Sequence, residues 1–184
     1  MKISLIVEGD SDRLLLLEQQ DWFNALGIEV EIVPTDGKIN MIKKAKNFYK
    51  IAFFHQGVDF IIFLPDQNSD LCALVTRQKI GMDTQEKSVT IVLKRELEAW
   101  ILADGNSIRD SIELQYSPSG ITDTISNPKQ NLHSLLKRKL DHFPTTLEAI
   151  SCVKSYFSIE RAANNNQSAR RFKDFVENLS RDAS

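Results

Sequence analysis

A parallel β-sheet covered by helices on both faces, extended by a helical C-terminal appendage, is the fold the sequence predicts. Three observations predict it. Over residues 1–105, short apolar runs rich in β-branched residues alternate with stretches of helical spacing. Those runs are apolar along most of their length, as strands buried on both faces must be. Beyond Asp104 no strand pattern recurs and helical patterns take over. Alternation of this kind places helices on both sides of a parallel sheet.

Each element has its own justification. Ile3–Val7 is an apolar run with β-branched residues and is the first strand. Asp12–Leu26 has helical spacing, with Leu15, Trp22 and Leu26 on one stripe and Leu16, Gln19 and Phe23 beside it. Gly27 ends that helix. Ile28–Val33 is the second strand, closed by Pro34 and the turn Asp36-Gly37. Ile39–Phe54 is a helix with Ile42, Ala45 and Tyr49 inward, and Lys43, Lys44, Lys46 and Lys50 mostly outward. Val58–Leu64 is the third strand, Leu71–Ile80 a helix and Ser88–Leu93 the fourth strand. Polar turn residues fill Tyr116–Pro128, and helices follow over Gln130–Leu140, Thr146–Tyr156 and Ser168–Leu179. "NNNQ", Asn164–Gln167, is expected to be a loop before the last helix. The division is thus an α/β domain over 1–105 and a helical appendage over 106–184, packed on it rather than forming an independent core.

Composition bounds the function. The chain has 184 residues and 42% hydrophobic content, enough for a packed core. Its longest apolar run, Val58 to Pro65, is interrupted by Asp59, so no membrane span is expected. The N-terminus lacks a basic start and a small-residue cleavage site, and Cys72 and Cys152 lie far apart without a CxxC. The expectation is a cytoplasmic protein with two reduced core thiols. Net charge is −2, so any nucleic-acid binding must come from local asymmetry.

Acids recur where the chain leaves three strands: Glu8-Gly9-Asp10-Ser11-Asp12, then "PDQNSD" (Pro65–Asp70), then "KRELEAW" (Lys94–Trp100). In open α/β sheets the carboxyl ends of the strands are where ligands bind. Carboxylates forced together repel, and a divalent cation relieves that repulsion. Mg²⁺ or Mn²⁺, as one or two ions, suits an all-oxygen set and the hydrolysis of phosphodiesters. His55, His133 and His142 show no zinc spacing. Each acid also has a plainer role. Asp10 or Asp12 can cap a helix, Asp66 and Asp70 can form a turn, and Glu96 and Glu98 can be solvated partners of Lys94 or Arg95. If Glu96 and Glu98 both reach a metal, the helix carrying Trp100 must begin near Leu97 or Ala99.

"IVEGDSD" after a first buried strand resembles the opening motif of the TOPRIM domain, shared by topoisomerases, bacterial primases, ribosomal-RNA maturases and OLD nucleases. The spacing of Glu8 and Asp12, with Glu96-Leu97-Glu98, resembles the OLD branch most. "ELEAWILAD", Glu96 to Asp104, is similar to small stand-alone TOPRIM proteins encoded beside ABC-type ATPases. The resemblance covers about the first 105 residues. It implies a Rossmann-like TOPRIM sheet and a metal-dependent nuclease acting on DNA, as the effector of an ATPase-linked phage-defence system. It also implies catalytic Glu8, Asp12, Asp66 and Glu96, with metal held by Glu8, Asp12, Asp66, Asn68, Asp70, Glu96 and Glu98. One departure stands out. The family's Asp-x-Asp falls on Asp66-Gln67-Asn68, so either Asp70 takes over the missing ligand or one metal site is weak. The alternatives are a degraded TOPRIM chain that binds an ABC-type ATPase partner, and a small RNA-processing TOPRIM enzyme.

Cations are the last candidates. Lys38, after the Gly37 turn, can meet a phosphate at a helix N-terminus or be a solvated lysine. The flanking pattern is not a P-loop, so no nucleotide hydrolysis is expected. Lys137, Arg138 and Lys139, with Arg170, Arg171 and Lys173, can hold a nucleic-acid backbone, solvate exposed helix faces or dock a partner.

Overall fold

The computed structural model describes residues 1–113, 115–118 and 120–182. It is an α/β fold with a four-stranded, wholly parallel, Rossmann-like sheet. The strands are β1 (Lys2–Val7), β2 (Glu29–Pro34), β3 (Phe60–Leu64) and β4 (Ser88–Thr90), in the order β2-β1-β3-β4. Strands β1 and β3 are therefore neighbours, with Val7 level with Leu64. The chain leaves β1 toward one edge and later crosses to its other side, which opens a crevice between the carboxyl ends of β1 and β3.

Both faces of the sheet are covered. Period-two alternation sends Ile3, Leu5, Val7, Ile62 and Leu64 into one apolar cluster, and Ile6, Ile61 and Phe63 into another. Helices α3 (Lys38–Gln56) and α4 (Ala73–Ile80) close the second face through Met41, Ala45, Ala52 and Ile80. On α3 the fully buried positions are Met41, Ala45 and Ala52, while Ile42 and Tyr49 are only half-buried. The helix starts at Gly37, whose φ of 99° favours a residue without Cβ.

The other face carries α1 (Asp10–Leu17), α2 (Gln20–Ala25) and α5 (Glu98–Ala103), then α6 (Gly105–Ile112), α7 (Pro128–Leu140), α8 (Thr146–Val153), α9 (Ile159–Asn165) and α10 (Gln167–Asp182). Leu132, Leu136, Ile150, Phe172 and Val176 of these later helices join the same cluster as Ile3 and Leu5. Trp100 sits fully buried among them, donates Nε1–H to Ser168 Oγ at 2.9 Å, and packs on Phe172 at 5.5 Å between ring centroids.

Several expectations are corrected. The helix expected over Asp12–Leu26 is two helices, broken at Glu18-Gln19. Gln19 is buried, and its amide donates to Phe157 O at 2.9 Å and accepts from Ile159 N at 3.2 Å, so a distant segment claims the side chain at the break. Helix α6 falls in a region assigned no element, and Asp104 accepts from Ser107 N at its start. The helix expected to run to Tyr156 ends at Val153 and tightens into a 3₁₀ turn over Lys154–Tyr156. The "NNNQ" stretch is not a loop. Asn164 and Asn165 close α9, and Asn166 Oδ1 accepts from Ala169 N at 2.9 Å as the cap of α10. Leu71 lies outside α4 and is 93% exposed. Cys72 is exposed rather than a core thiol, and Cys152 is half-buried. Among the described residues, no helix is long and apolar enough to cross a membrane.

Candidate metal centre

Glu8 is the first residue after β1, and Asp66 follows β3 across the seam. The Asp66 backbone N–H donates to Glu8 Oε1 at 2.9 Å. The Glu8 carbonyl in turn accepts from Gly37 N at 2.7 Å, so the turn after β2 pins the same residue. Asp12 stands in the first turn of α1, and its Oδ2 accepts from Gly9 N at 3.0 Å, a capping-box arrangement that points it back at the end of β1. Asp10 is exposed on the same turn.

The third motif reaches the crevice because pairing continues past β4. Leu93 N donates to Pro65 O, and Gln67 N to Leu93 O, at 2.9 and 2.8 Å. Arg95 then turns the chain in the left-handed region, at φ 74°. Helix α5 begins at Glu98, so Glu96 precedes the helix and Glu98 stands in its first turn, 5% exposed.

Electrostatics shows the acids to be one cluster. Burial pushes the Asp66 carboxyl well above its usual range, and the charges of Asp12, Glu8, Glu98 and Glu96 push it further. Its Oδ1 is buried with no hydrogen-bond partner. Burial is also the largest cause for Glu8, pushed up to about 7, and for Glu98, pushed up to about 7, and it raises Asp12. Opposing it at Glu98 is Lys129, whose Nζ lies 3.8 Å from Oε1. The Lys129 backbone N–H, at the start of α7, donates to Glu96 Oε2 at 3.3 Å.

The structure thus brings together Glu8, Asp12, Asp66, Glu96 and Glu98. It does not bring Asp70 to them. Asp70 Oδ2 meets Lys38 Nζ at 2.5 Å and Thr76 Oγ1 at 2.7 Å, and Oδ1 pairs with Lys79. Hydrogen bonds from Lys38, Lys79 and Thr76 hold its carboxyl well below the usual range. Its oxygens are spent on a staple that ties the β3 loop to α3 and α4. Asn68 is exposed, with φ 47°, a left-handed conformation that Asn tolerates better than most residues. Backbone shape is therefore a sufficient reason for Asn there.

The expected phosphate contacts are dispersed. Lys38 Nζ also donates to Asp66 O and Gln67 O, at 2.6 and 3.1 Å. Lys139 bonds Ser111 O, Arg170 closes α9 through Ala163 O and Asn164 O, and Lys173 pairs with Glu177. Lys137, Arg138 and Arg171 are exposed. Two cations stand beside the acids: Lys38, whose charge acts on Glu8, and Lys129, which acts on Glu98 and which sequence reasoning missed. The only local signal for Lys129 was Asn127-Pro128, a helix start with no visible tie to Glu96, 33 residues earlier.

The donor set is all oxygen, it carries excess negative charge, and Asp66 keeps an unpartnered buried oxygen. These features fit a hard divalent cation. Among the described residues, no group of three or more His, Cys, Asp or Glu side chains is placed so that it could hold a metal ion as the side chains stand. Glu8, Asp12 and Glu96 instead each spend an oxygen on a backbone N–H. Compared with known protein families, curated proteins and solved structures, the chain matches none.

Proposed function

We propose that this chain is a Mg²⁺- or Mn²⁺-dependent TOPRIM-type nuclease of the OLD-like kind, hydrolysing phosphodiester bonds in DNA and working beside an ABC-type ATPase. What carries the reading is the five-carboxylate cluster at the β1/β3 crevice, centred on the unpartnered Asp66 Oδ1. The resemblance of "IVEGDSD" and "ELEAW" to the family supports it, and is the support for DNA and for the ATPase partner.

Glu8, Asp12, Asp66, Glu96 and Glu98 would hold the cation; Asp70 and Asn68 are left out on geometry. A cation bound there supplies charge neutralisation for a phosphate and acidifies water. The chain's own residues do the rest. The Asp66 N–H orients Glu8, the Gly9 N–H orients Asp12, and the Lys129 N–H orients Glu96. The Lys129 ammonium offsets part of the negative charge at Glu98.

The test is cleavage of single-stranded DNA, duplex DNA and structured RNA in Mg²⁺ and in Mn²⁺, with and without the ATPase. DNA cleavage is expected, with a loss of at least about 100-fold in Glu8→Gln and in Asp66→Asn, the scale on which transition-state charge stabilisation is removed. Cleavage confined to RNA would move the reading to an RNA-processing enzyme. Equal cleavage by wild type and both variants, or none by any, overturns it.

A further inference from the structure

Beside the acids, between the chain entering α5 and the start of α7, lies an open cavity of about 350 Å³. Glu96, Asn127, Lys129, Gln130, His133 and Phe143 line it. Two features mark it as more than a surface dent. His133 is only 7% exposed, and its Nε2 is buried with no hydrogen-bond partner. A buried ring nitrogen left unpaired costs about 1–3 kcal/mol, so a ligand atom that meets it as the ring turns toward the cavity gains what the fold leaves unmet. Phe143, by contrast, is a ring left 53% exposed, and it meets the His133 ring edge-on at 5.7 Å between centroids.

We infer that this cavity receives one unpaired nucleotide next to the scissile phosphate, its base on Phe143 and a base-edge atom paired with His133 Nε2. Asn127 and Gln130 supply amides able to donate and accept, and Lys129 with the N-terminus of the 13-residue α7 supplies the positive end for a phosphate. Glu96 belongs to both the cavity and the acidic cluster, so a nucleotide held here lies alongside the centre described above. The volume suits a single nucleotide, at the small end of ligand sites of about 300–1,000 Å³. A paired base cannot enter, because its edge and faces are already used in the duplex. The inference rests on the nuclease reading and adds its substrate class: single-stranded or frayed DNA.

The experiment uses the full chain and a ten-nucleotide fluorescent oligodeoxythymidylate, free or annealed to its complement, with binding followed by anisotropy in Ca²⁺ and cleavage followed in Mn²⁺. The single strand is expected to bind at least tenfold more tightly than the duplex. Phe143→Ala should weaken single-strand binding about tenfold, the scale of one lost base-stacking contact, His133→Leu should weaken it about tenfold, the scale of one lost hydrogen bond, and Phe143→Trp should retain it. Circular dichroism checks that the variants fold, and Phe143→Ala, at a half-exposed position, is expected to. Equal affinity for strand and duplex, or undiminished strand binding in folded Phe143→Ala, overturns the inference. Strand-selective binding lost in both variants but without cleavage upholds the pocket and sinks the nuclease reading. Cleavage with no strand preference does the reverse.

Discussion

The backbone N–H of Asp66 donates to Oε1 of Glu8 at 2.9 Å, joining the ends of β1 and β3 across 58 residues of chain. The bond uses one Glu8 oxygen and leaves Asp66 Oδ1 buried without a partner. The two acids therefore lie at one point of the crevice, and their coupling has measurable consequences.

The first concerns pH. Glu8 and Glu98 are pushed up to about 7 in the folded state, against 4.5 for an ordinary glutamate. A folded state that binds protons more tightly than the unfolded one loses stability as pH rises. The contribution of these two groups is fully present below about pH 4.5 and is lost as pH rises through about 7. His133, held below its usual value chiefly by burial, acts in the opposite sense, so the comparison must be made between variants. Metal-free Glu98→Gln should gain melting temperature relative to wild type between pH 5 and pH 8. Each kcal/mol relieved is worth about 2–4 °C in a chain of this size. A difference that does not change with pH would refute the buried-acid account.

Metal should reverse that loss. A cation that binds only the folded state stabilises it by about 2.7 kcal/mol at a hundred times its dissociation constant. Mg²⁺ or Mn²⁺ should raise the melting temperature of wild type at pH 8 and much less at pH 5.5, where protons compete for the same oxygens. Glu8→Gln should shrink the shift. Identical metal shifts in wild type and variant would remove Glu8 from the site.

Asp70 should behave as a staple. Asp70→Asn takes the anion from Lys38 and Lys79 and should lower stability by about 1–2 kcal/mol, discounted because Lys79 is half in solvent. It should leave the metal-induced shift intact. Loss of that shift with unchanged metal-free stability would restore Asp70 as a ligand. Asn68→Asp, at an exposed position whose backbone suits either residue, should change stability by less than about 0.5 kcal/mol.

The break between α1 and α2 should depend on Gln19. Gln19→Leu leaves Phe157 O and Ile159 N without their partner, a cost of about 1–3 kcal/mol for each group left buried. Amide exchange at Ile159 should speed up more than exchange in β1. Unchanged exchange at Ile159 would show that the contact does not hold the later helices to the sheet.

Trp100→Ala should be the most damaging of these changes. It removes a fully buried ring bonded to Ser168 and packed on Phe172, at about 3–5 kcal/mol. Chemical denaturation gives the value directly, and a cost below 1 kcal/mol would contradict the packing described.

The sequence by itself determined the strands, the parallel class of the sheet and the ends at which to look. Apolar runs and helical spacing are local patterns, written in residues a few places apart. Glu8 and Asp12 were legible for the same reason, since a strand end and the first turn of the next helix are consecutive. Tertiary structure alone decided which distant groups meet. It sent Asp70 to Lys38, 32 residues away, and brought Lys129 to Glu96 and Glu98. It also bent the chain at Gln19 toward Phe157, 138 residues on, where spacing predicted one helix. A charged or amide side chain takes its role from whatever partner the closed fold places within about 3 Å. That partner depends on how loops of tens of residues close, and no short-range pattern encodes it.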